Sequence, residues 1–228
     1  MFRLSEVTVL VPAYNEADKI KFTIRALDQV PKIDEIIAIN DGSTDNTAEI
    51  VSNKTPAKLI DLETNQGKGA ALNKGLEAAQ GKIISLVDAD LEETAVELEK
   101  LLEPVVHQQV DMSIADFPSP EKKGGFGLVT NLAQLGLKFF TGEEFGSPLS
   151  GQRVLTREVI DYLNGFKSGF GVEVGLTIEV INGGFEVAEI PVEMSHRETG
   201  RDWKGFRHRG RQFKDVLKVL LDQLRSGR

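Results

Sequence analysis

The sequence contains no cysteine, and it has only one tryptophan and two tyrosines. Without thiols, disulfide bonds, thiolate metal ligands and a cysteine nucleophile are all excluded. Any metal site must therefore use oxygen or imidazole ligands, and the composition suits a reducing compartment. No apolar stretch reaches the roughly 18 residues that a membrane span needs. The first apolar run, of about five residues, is too short for a signal peptide. These absences predict a cytoplasmic chain.

The charge is divided unevenly along the chain, whose formal net charge is −8. Residues 196–228 contain ten Lys or Arg against four Asp or Glu, a net charge of +6, which leaves −14 for residues 1–195. The basic tail is able to meet substrate phosphates, an anionic membrane surface or the acidic body of the same protein. The strongly acidic body argues against nucleic-acid binding.

Apolar runs alternate with helical patterns through the first half of the chain. The runs predict buried parallel strands at Val7–Val11, Glu35–Asn40, Ile83–Val87 and Asp111–Ala115. The patterns between them predict helices at Ala17–Asp28, Thr44–Val51, Lys68–Ala79 and Thr94–Leu102, the last ending at Pro104. This alternation predicts βαβ units and an α/β fold with a mostly parallel central sheet flanked by helices.

The second half is less regular, and no linker divides the 228 residues into two domains. A glycine-containing loop near 122–127 is expected to be mobile. The patterns predict a helix at Leu128–Phe140, a strand from about Ser150, a helix at Glu173–Ile181, a strand at Phe185–Glu193 and a basic terminal helix at Phe206–Leu224. We therefore expect a single domain with regions 1–115, 116–202 and 203–228.

Polar segments follow three of the predicted strands, at Pro12–Glu16, Asp41–Asp45 and Asp88–Asp90. Because ligands bind outside the carboxyl ends of parallel strands, these segments are expected to cluster at one edge. Asp88 and Asp90 repel each other unless a cation or amides compensate, and their oxygens suit Mg²⁺ or Mn²⁺ shared with a diphosphate. A structural turn remains the alternative for this pair. For Asp41 the alternative is an N-cap of the next helix.

These three segments resemble the family 2 glycosyltransferases of GT-A fold, over residues 5–100. The family patterns V-P-x-Y-N-E, D-D/N-G-S-x-D and D-x-D correspond to Val11–Glu16, Asn40–Asp45 and Asp88–Asp90. The resemblance implies a single Rossmann-like domain that binds a nucleotide sugar. It also implies a donor site that includes Pro12, Ala13, Asn15, Glu16, Asp41, Asp88 and Ala89, with Asp90 at the metal. Region 1–115 is then the donor half and region 116–202 the acceptor half.

The segment Asn65–Gly69 opens a predicted helix and resembles the N-x-G-x-G-x-A segment of the same family. Backbone amides at a helix start and a lysine both suit a phosphate. Gly67 and Lys68 are therefore predicted to bind the donor. The alternative is a flexible helix entrance with a solvated surface charge.

Two further segments lie where the family builds its acceptor site. They supply the predicted acceptor residues Ser150, Gly151, Gln152, Arg153 and Gly171. The stretch Gly169–Gly175 also resembles glucosyl-3-phosphoglycerate synthases. It contains Glu173, a catalytic candidate together with Asp90. Glu173 either deprotonates the acceptor or orients hydroxyls, and its alternative role is a favourable carboxylate at a helix N-terminus.

A polar loop after the last predicted strand contains His196, Arg197 and Arg201. In the resembling family, a histidine in this place completes the metal shell, which makes Asp88, Asp90 and His196 the implied ligands of Mg²⁺ or Mn²⁺. A purely structural histidine is the alternative. Arg197 and Arg201 suit the donor diphosphate.

The resulting functional prediction is metal-dependent transfer of a sugar, glucose from UDP-glucose, to an acceptor that bears a phosphate. The basic tail favours a polyprenyl phosphate, with peripheral contact to the inner face of a membrane. The alternatives are transfer to a small soluble phosphorylated acid and a non-catalytic nucleotide-sugar sensor. Sugar-phosphate nucleotidyltransferases are disfavoured because Pro12–Glu16 replaces their glycine-rich loop. A homodimer is left open.

Overall fold

Seven strands form one sheet in the computed structural model, which describes residues 6–117, 127–167, 172–194 and 203–225. The strands are β1 (Val7–Ala13), β2 (Glu35–Asp41), β3 (Lys58–Leu62), β4 (Ile83–Leu86), β5 (Met112–Asp116), β6 (Arg153–Thr156) and β7 (Val187–Pro191). Their order is β3-β2-β1-β4-β6-β5-β7. Strand β6 runs antiparallel to β4 and β5, and every other pair is parallel. The predicted single α/β domain with a mostly parallel sheet is confirmed.

Helices cover both faces of this sheet. They are α1 (Ile20–Leu27), α2 (Thr47–Lys54), α3 (Lys68–Ala78), a 3-10 helix (Glu92–Glu97), α4 (Leu98–Val106), α5 (Leu128–Thr141), α6 (Arg157–Leu163), α7 (Val172–Asn182) and α8 (Trp203–Arg225). In β1, Val9 packs into the core on one face and Leu10 into the core on the other. This largely apolar strand is thereby buried on both sides.

Several predicted helix boundaries are wrong, among them those of α4 and α2. Helix α4 continues past Pro104 to Val106, because the buried side chains of Leu101, Leu102 and Val105 hold its last turn against the sheet despite one missing backbone hydrogen bond. Helix α2 begins only at Thr47, whose N–H and hydroxyl both donate to the Asp45 carboxylate. Within the described part of the chain, no helix is both long and apolar enough to cross a membrane.

Candidate active site

The loops after β1 and β2 are joined by hydrogen bonds at the carboxyl end of the sheet. Asn15 has a φ of 57°, a left-handed conformation that Asn tolerates. Its N–H donates to the Ser43 hydroxyl at 2.9 Å, and its side-chain oxygen accepts the Thr44 N–H at 2.8 Å. The Glu16 N–H donates to the Thr47 hydroxyl at 3.0 Å. The two polar segments that follow these strands therefore lie side by side, as the predicted topology requires.

Asp41 ends β2 and fixes the entrance to α3. Its two carboxylate oxygens accept the N–H groups of Gln66 and Gly67 at 2.7 and 2.8 Å. The neighbouring Gly42 has a φ of 66°, and a Cβ there would lie 2.5 Å from the Thr64 carbonyl carbon. The alternative role of Asp41 as N-cap of the next helix is therefore wrong, because the carboxylate holds the loop before α3 instead.

Lys68 and Asp88 form the centre of the site. Lys68 is the first residue of α3, and its Nζ lies 2.7 Å from one oxygen of Asp88, which follows β4. The other Asp88 oxygen accepts the side-chain N–H of buried Gln152 at 2.6 Å, and the Asp88 N–H donates back to Gln152 at 2.9 Å. Gly151 leaves room for this pair, since a Cβ at that position would lie 2.6 Å from the lysine nitrogen.

Asp90 lies half-buried two residues beyond Asp88. The Thr23 hydroxyl anchors the intervening turn by donating to the Ala89 carbonyl at 2.8 Å. The described residues bring together no group of three or more carboxylates or imidazoles suited to a metal. Two carboxylates at a strand end fit an oxygen-preferring divalent cation that takes its remaining ligands from a diphosphate.

A pocket opens beside the Lys68–Asp88 pair, with an empty volume of 380 Å³ that includes its mouth. Its polar lining comes from Lys68, Arg153, Lys167 and Glu173, and apolar residues such as Leu72 and Phe166 complete the wall. Lys167 is also paired with Glu179 at 2.6 Å. Helices α3 and α7 and strand β6 therefore converge on a cavity that combines cations with one carboxylate.

Arg153 is the unusual member of this lining because its side chain is almost fully buried, at 1% exposure. Its Nε donates to the Ser150 carbonyl and its Nη1 to the Thr177 hydroxyl, both at 2.9 Å. Its Nη2 has no hydrogen-bond partner among the residues that the structure describes. Burial lowers the pKa of Arg153 to about 10, against the opposing charges of Glu173 and Glu189. The guanidinium thus stays cationic at neutral pH, and its Nη2 is available to donate a hydrogen bond to a ligand.

Glu173 is the carboxylate of the pocket. Burial raises the pKa of its carboxyl group, while the charges of Lys68 and Arg153 act in the opposite direction. Burial also works against the charge on Lys68, but Asp88 and Glu173 outweigh it and raise the lysine pKa. A carboxyl group with a raised pKa, held between two cations in a cleft, suits proton transfer or hydrogen bonding to a substrate hydroxyl.

The structure therefore brings most of the predicted site residues to one edge of the sheet. Pro12 and Ala13 lie at the end of β1, next to the loop that contains Asn15 and Glu16. Ser150, Gly151 and Gln152 directly precede β6, whose first residue is Arg153. Four predicted site residues lie outside the described residues: Gly171, His196, Arg197 and Arg201.

Several residues of the pocket region were not predicted from the sequence as site residues, among them Phe166, Lys167 and Thr177. Phe166 and Lys167 line the cavity, and Thr177 holds Arg153. The sequence offered a signal for Thr177, which lies four residues after Glu173 and hence on the same face of α7. Phe166 is positioned by Asn73 of α3, whose amide oxygen accepts the Phe166 N–H at 2.8 Å. No pattern in the sequence predicts that contact.

Comparison with known proteins agrees with this geometry. Glycosyltransferase AglJ of Haloferax volcanii is 27% identical over 204 residues, which are 86% of this chain and 65% of AglJ. Dolichyl-phosphate beta-glucosyltransferase ALG5C of Trichomonas vaginalis is 43% identical over 105 residues, or 40% of this chain and 31% of that protein. The chain thus spans less than two thirds of either relative.

A solved structure matches nearly the whole chain. The glucosyl-3-phosphoglycerate synthase of Mycobacterium tuberculosis, crystallised with Mn²⁺, UDP and phosphoglyceric acid, superimposes with a TM-score of 0.80 at 27% identity. The match covers 96% of this chain and 78% of that one. The model of glycosyl transferase family 2 matches residues 8–163, which include β1, β2, β4 and the loop to Arg153. This match extends over more than half of the sequence, and the chain belongs to glycosyl transferase family 2.

Proposed function

We propose that this chain is a metal-dependent glycosyltransferase that moves glucose from UDP-glucose to a polyprenyl phosphate. The observation that carries the proposal is the Lys68–Asp88 pair, 2.7 Å apart, beside a pocket lined by Glu173 and Arg153. Among the described residues, the Nη2 of Arg153 has no hydrogen-bond partner. The Trichomonas relative is named for glucose and dolichyl phosphate, and the mycobacterial structure holds UDP and Mn²⁺. The name of the first supports glucose as the sugar, and the ligand of the second supports UDP as its carrier.

In the proposed reaction, an acceptor phosphate oxygen attacks the anomeric carbon, and the bond from that carbon to UDP breaks. Asp90, with Asp88, would hold Mg²⁺ or Mn²⁺, which when bound neutralises charge on the departing diphosphate. Lys68 and Asp88 place a cation and a hydrogen-bond acceptor beside the sugar. Arg153 offers its free N–H to an oxygen, and Glu173 accepts a hydrogen bond from a sugar hydroxyl.

The pocket also supports a second acceptor class, a small phosphorylated acid such as phosphoglycerate. The specific observation in its favour is the structural match to glucosyl-3-phosphoglycerate synthase over 96% of the chain. A hydroxyl acceptor must lose a proton, for which Glu173 is placed as the base. An ionised lipid phosphate needs no such step, because its second pKa is about 6.

Calorimetric titration tests the donor, using UDP-glucose, GDP-mannose and UDP-N-acetylglucosamine, each with Mn²⁺ and with chelator. We expect metal-dependent binding of UDP-glucose. Asp90→Asn should abolish the metal dependence, whereas Asp28→Asn, at the exposed end of α1, should bind as the wild type does. Binding that chelator leaves unchanged would contradict the proposed metal site.

Turnover assays then test the acceptor, with polyprenyl phosphate and 3-phosphoglycerate offered separately and UDP release measured. A glucosylated lipid phosphate as product supports the proposal. A product made only from phosphoglycerate supports the second acceptor class. Donor binding without transfer to either acceptor would favour a nucleotide-sugar sensor.

A further inference from the structure

Helices α5 and α8 pack closely against each other. Gly136 of α5 is buried, and a Cβ at that position would lie 2.4 Å from the Leu220 side chain of α8. Leu220 and Val216 of α8 are buried in the core, as are Ala133 and Leu137 of α5. The inward faces of both helices therefore pack into the same core. This packing does not account for exposed apolar side chains on their outward faces.

The outward faces carry seven large apolar side chains that are exposed. They are Leu128, Leu135 and Phe139 of α5 and Phe213, Leu217, Leu221 and Leu224 of α8, which together are called the α5–α8 surface below. Leu135 and Phe139 are 67% and 73% exposed. At about 100° per residue, the members on each helix share one narrow stripe. Each stripe adjoins the contact line, since Phe139 lies three residues from Gly136, and Leu217 and Leu224 lie three and four residues from Leu220. A cluster of this kind marks an interaction site.

Charge identifies the occupant. On α8, exposed Lys214, Lys218 and Arg225 lie at helical positions beside the apolar stripe and on the side away from the core, and Arg225 also pairs with Asp222 at 3.9 Å. The sequence of α8 has seven Lys or Arg against two acidic residues, while residues 1–195 carry −14. Apolar side chains flanked by cations match the boundary between lipid tails and anionic headgroups. A two-fold contact between copies through this surface would instead bring like charges together.

We propose that the α5–α8 surface docks on a bilayer that contains anionic lipid, with the acidic body turned toward water. The proposal rests on the proposed function in one respect, because it places the enzyme where a polyprenyl phosphate acceptor resides. The helices lie in the interface and do not span it. Both the apolar stripe and the cations beside it contribute to binding, so high salt weakens the attachment.

Liposome flotation of the full chain tests this proposal without nucleotide, metal or acceptor. The probes are vesicles of phosphatidylcholine alone and vesicles that also contain phosphatidylglycerol, each at low and high salt. We expect flotation with the anionic vesicles at low salt. The double variant Leu217→Ser/Leu221→Ser and the double variant Lys214→Glu/Lys218→Glu should each reduce the bound fraction on the order of tenfold.

Phe22→Ser is the matched control, since Phe22 is 42% exposed on α1, away from the α5–α8 surface. It should float as the wild type does.

No flotation of the wild type at low salt overturns the proposal. A wild-type dimer in light scattering that Leu217→Ser/Leu221→Ser converts to a monomer, without any flotation, overturns it in favour of a second copy as occupant. If the chain binds the donor in a metal-dependent way but does not float, the membrane-docking proposal is wrong and the proposed function is unaffected. The two proposals are therefore tested separately.

Discussion

At the scale of single residues, the site depends on a few charges whose partners are now defined. The Asp88 carboxylate contacts a cation and an amide, Lys68 and Gln152, at 2.7 and 2.6 Å. Arg153 and Glu173 oppose each other's pKa shifts across the pocket. Each of these side chains is therefore open to a substitution that changes one interaction and leaves its neighbours in place.

Lys68→Met should weaken UDP-glucose binding by roughly tenfold, because a hydrogen bond to a charged group contributes about 1.5 kcal/mol or more. A larger loss is not expected, because the Lys68 side chain is 40% exposed and solvent partly screens its charge. Calorimetry in the presence of Mn²⁺ measures the change. Lys74→Met is the control, since Lys74 lies on the same helix and pairs with Glu77 at the surface. Equal losses in the two variants would show that Lys68 has no special role at the donor.

The pH dependence of turnover should report the Glu173 carboxyl group. Burial raises the pKa of this group above its ordinary value of about 4.3. As the pH falls, the active ionised form is therefore lost at a higher pH than it would be for an exposed glutamate. Arg153 lowers this pKa, and Arg153→Met should therefore move the acid limb of the kcat profile to still higher pH. Glu173→Gln should remove the contribution of this carboxyl group and leave the limb that belongs to the acceptor phosphate, whose second pKa is about 6.

Thr177→Val is the control for that shift, because it removes the hydroxyl that accepts from Arg153 Nη1 and keeps the guanidinium charge. Its acid limb should coincide with that of the wild type. If Arg153→Met and Thr177→Val move the limb equally, the effect comes from lost packing and the electrostatic interpretation is wrong.

At the scale of elements, the connection between β2 and α3 is held by the two hydrogen bonds that the Asp41 carboxylate accepts. Asp41→Ala should reduce the free energy of unfolding by about 1–3 kcal/mol, since two N–H groups at the entrance to α3 lose their acceptor. Urea denaturation measures this loss, and calorimetry should show weakened donor binding as well. Asp61→Ala on β3, which removes a carboxylate that accepts from the Asn40 amide, should leave donor binding unchanged. Weakened binding with unchanged stability would assign Asp41 to direct nucleotide contact alone.

The elements also show what the sequence could predict. Strands β1, β2, β4 and β5 were predicted because buried parallel strands form continuous apolar runs. Strand β3 was missed because, at the sheet edge, its pattern includes exposed Lys58 and Asp61. Helix α6 was missed because seven residues are too few for a clear period, although Thr156 caps it by accepting the Val159 N–H.

The donor side of the site was predictable for a topological reason, and the pocket wall was not. Residues after β1, β2 and β4 meet because parallel neighbouring strands end at the same edge. The Arg153–Thr177 contact depends on β6, which runs antiparallel between β4 and β5, and no local pattern encodes that insertion. Local periodicity predicts an element, but it does not predict which distant element packs against it.

At the scale of the whole molecule, the sheet crosses the boundary drawn between the donor and acceptor halves. Strand β5 lies in region 1–115 except for its last residue, but its two neighbours are β6 and β7 from region 116–202. Strand β4 likewise pairs with β6. Cutting the chain after β5 would leave one edge of β4 and both edges of β5 unpaired.

We therefore expect fragment 1–116 to be unable to fold alone, whereas the full chain unfolds in one cooperative transition. Circular dichroism in urea and donor binding by calorimetry should give the same midpoint for the full chain, because the sheet that holds Asp88 also requires β6 for its pairing. Adding fragment 117–228 to fragment 1–116 should restore part of the donor binding. A soluble fragment 1–116 that binds UDP-glucose with the affinity of the full chain would instead establish the donor half as an independent domain, and the contacts of β6 would then serve the acceptor alone.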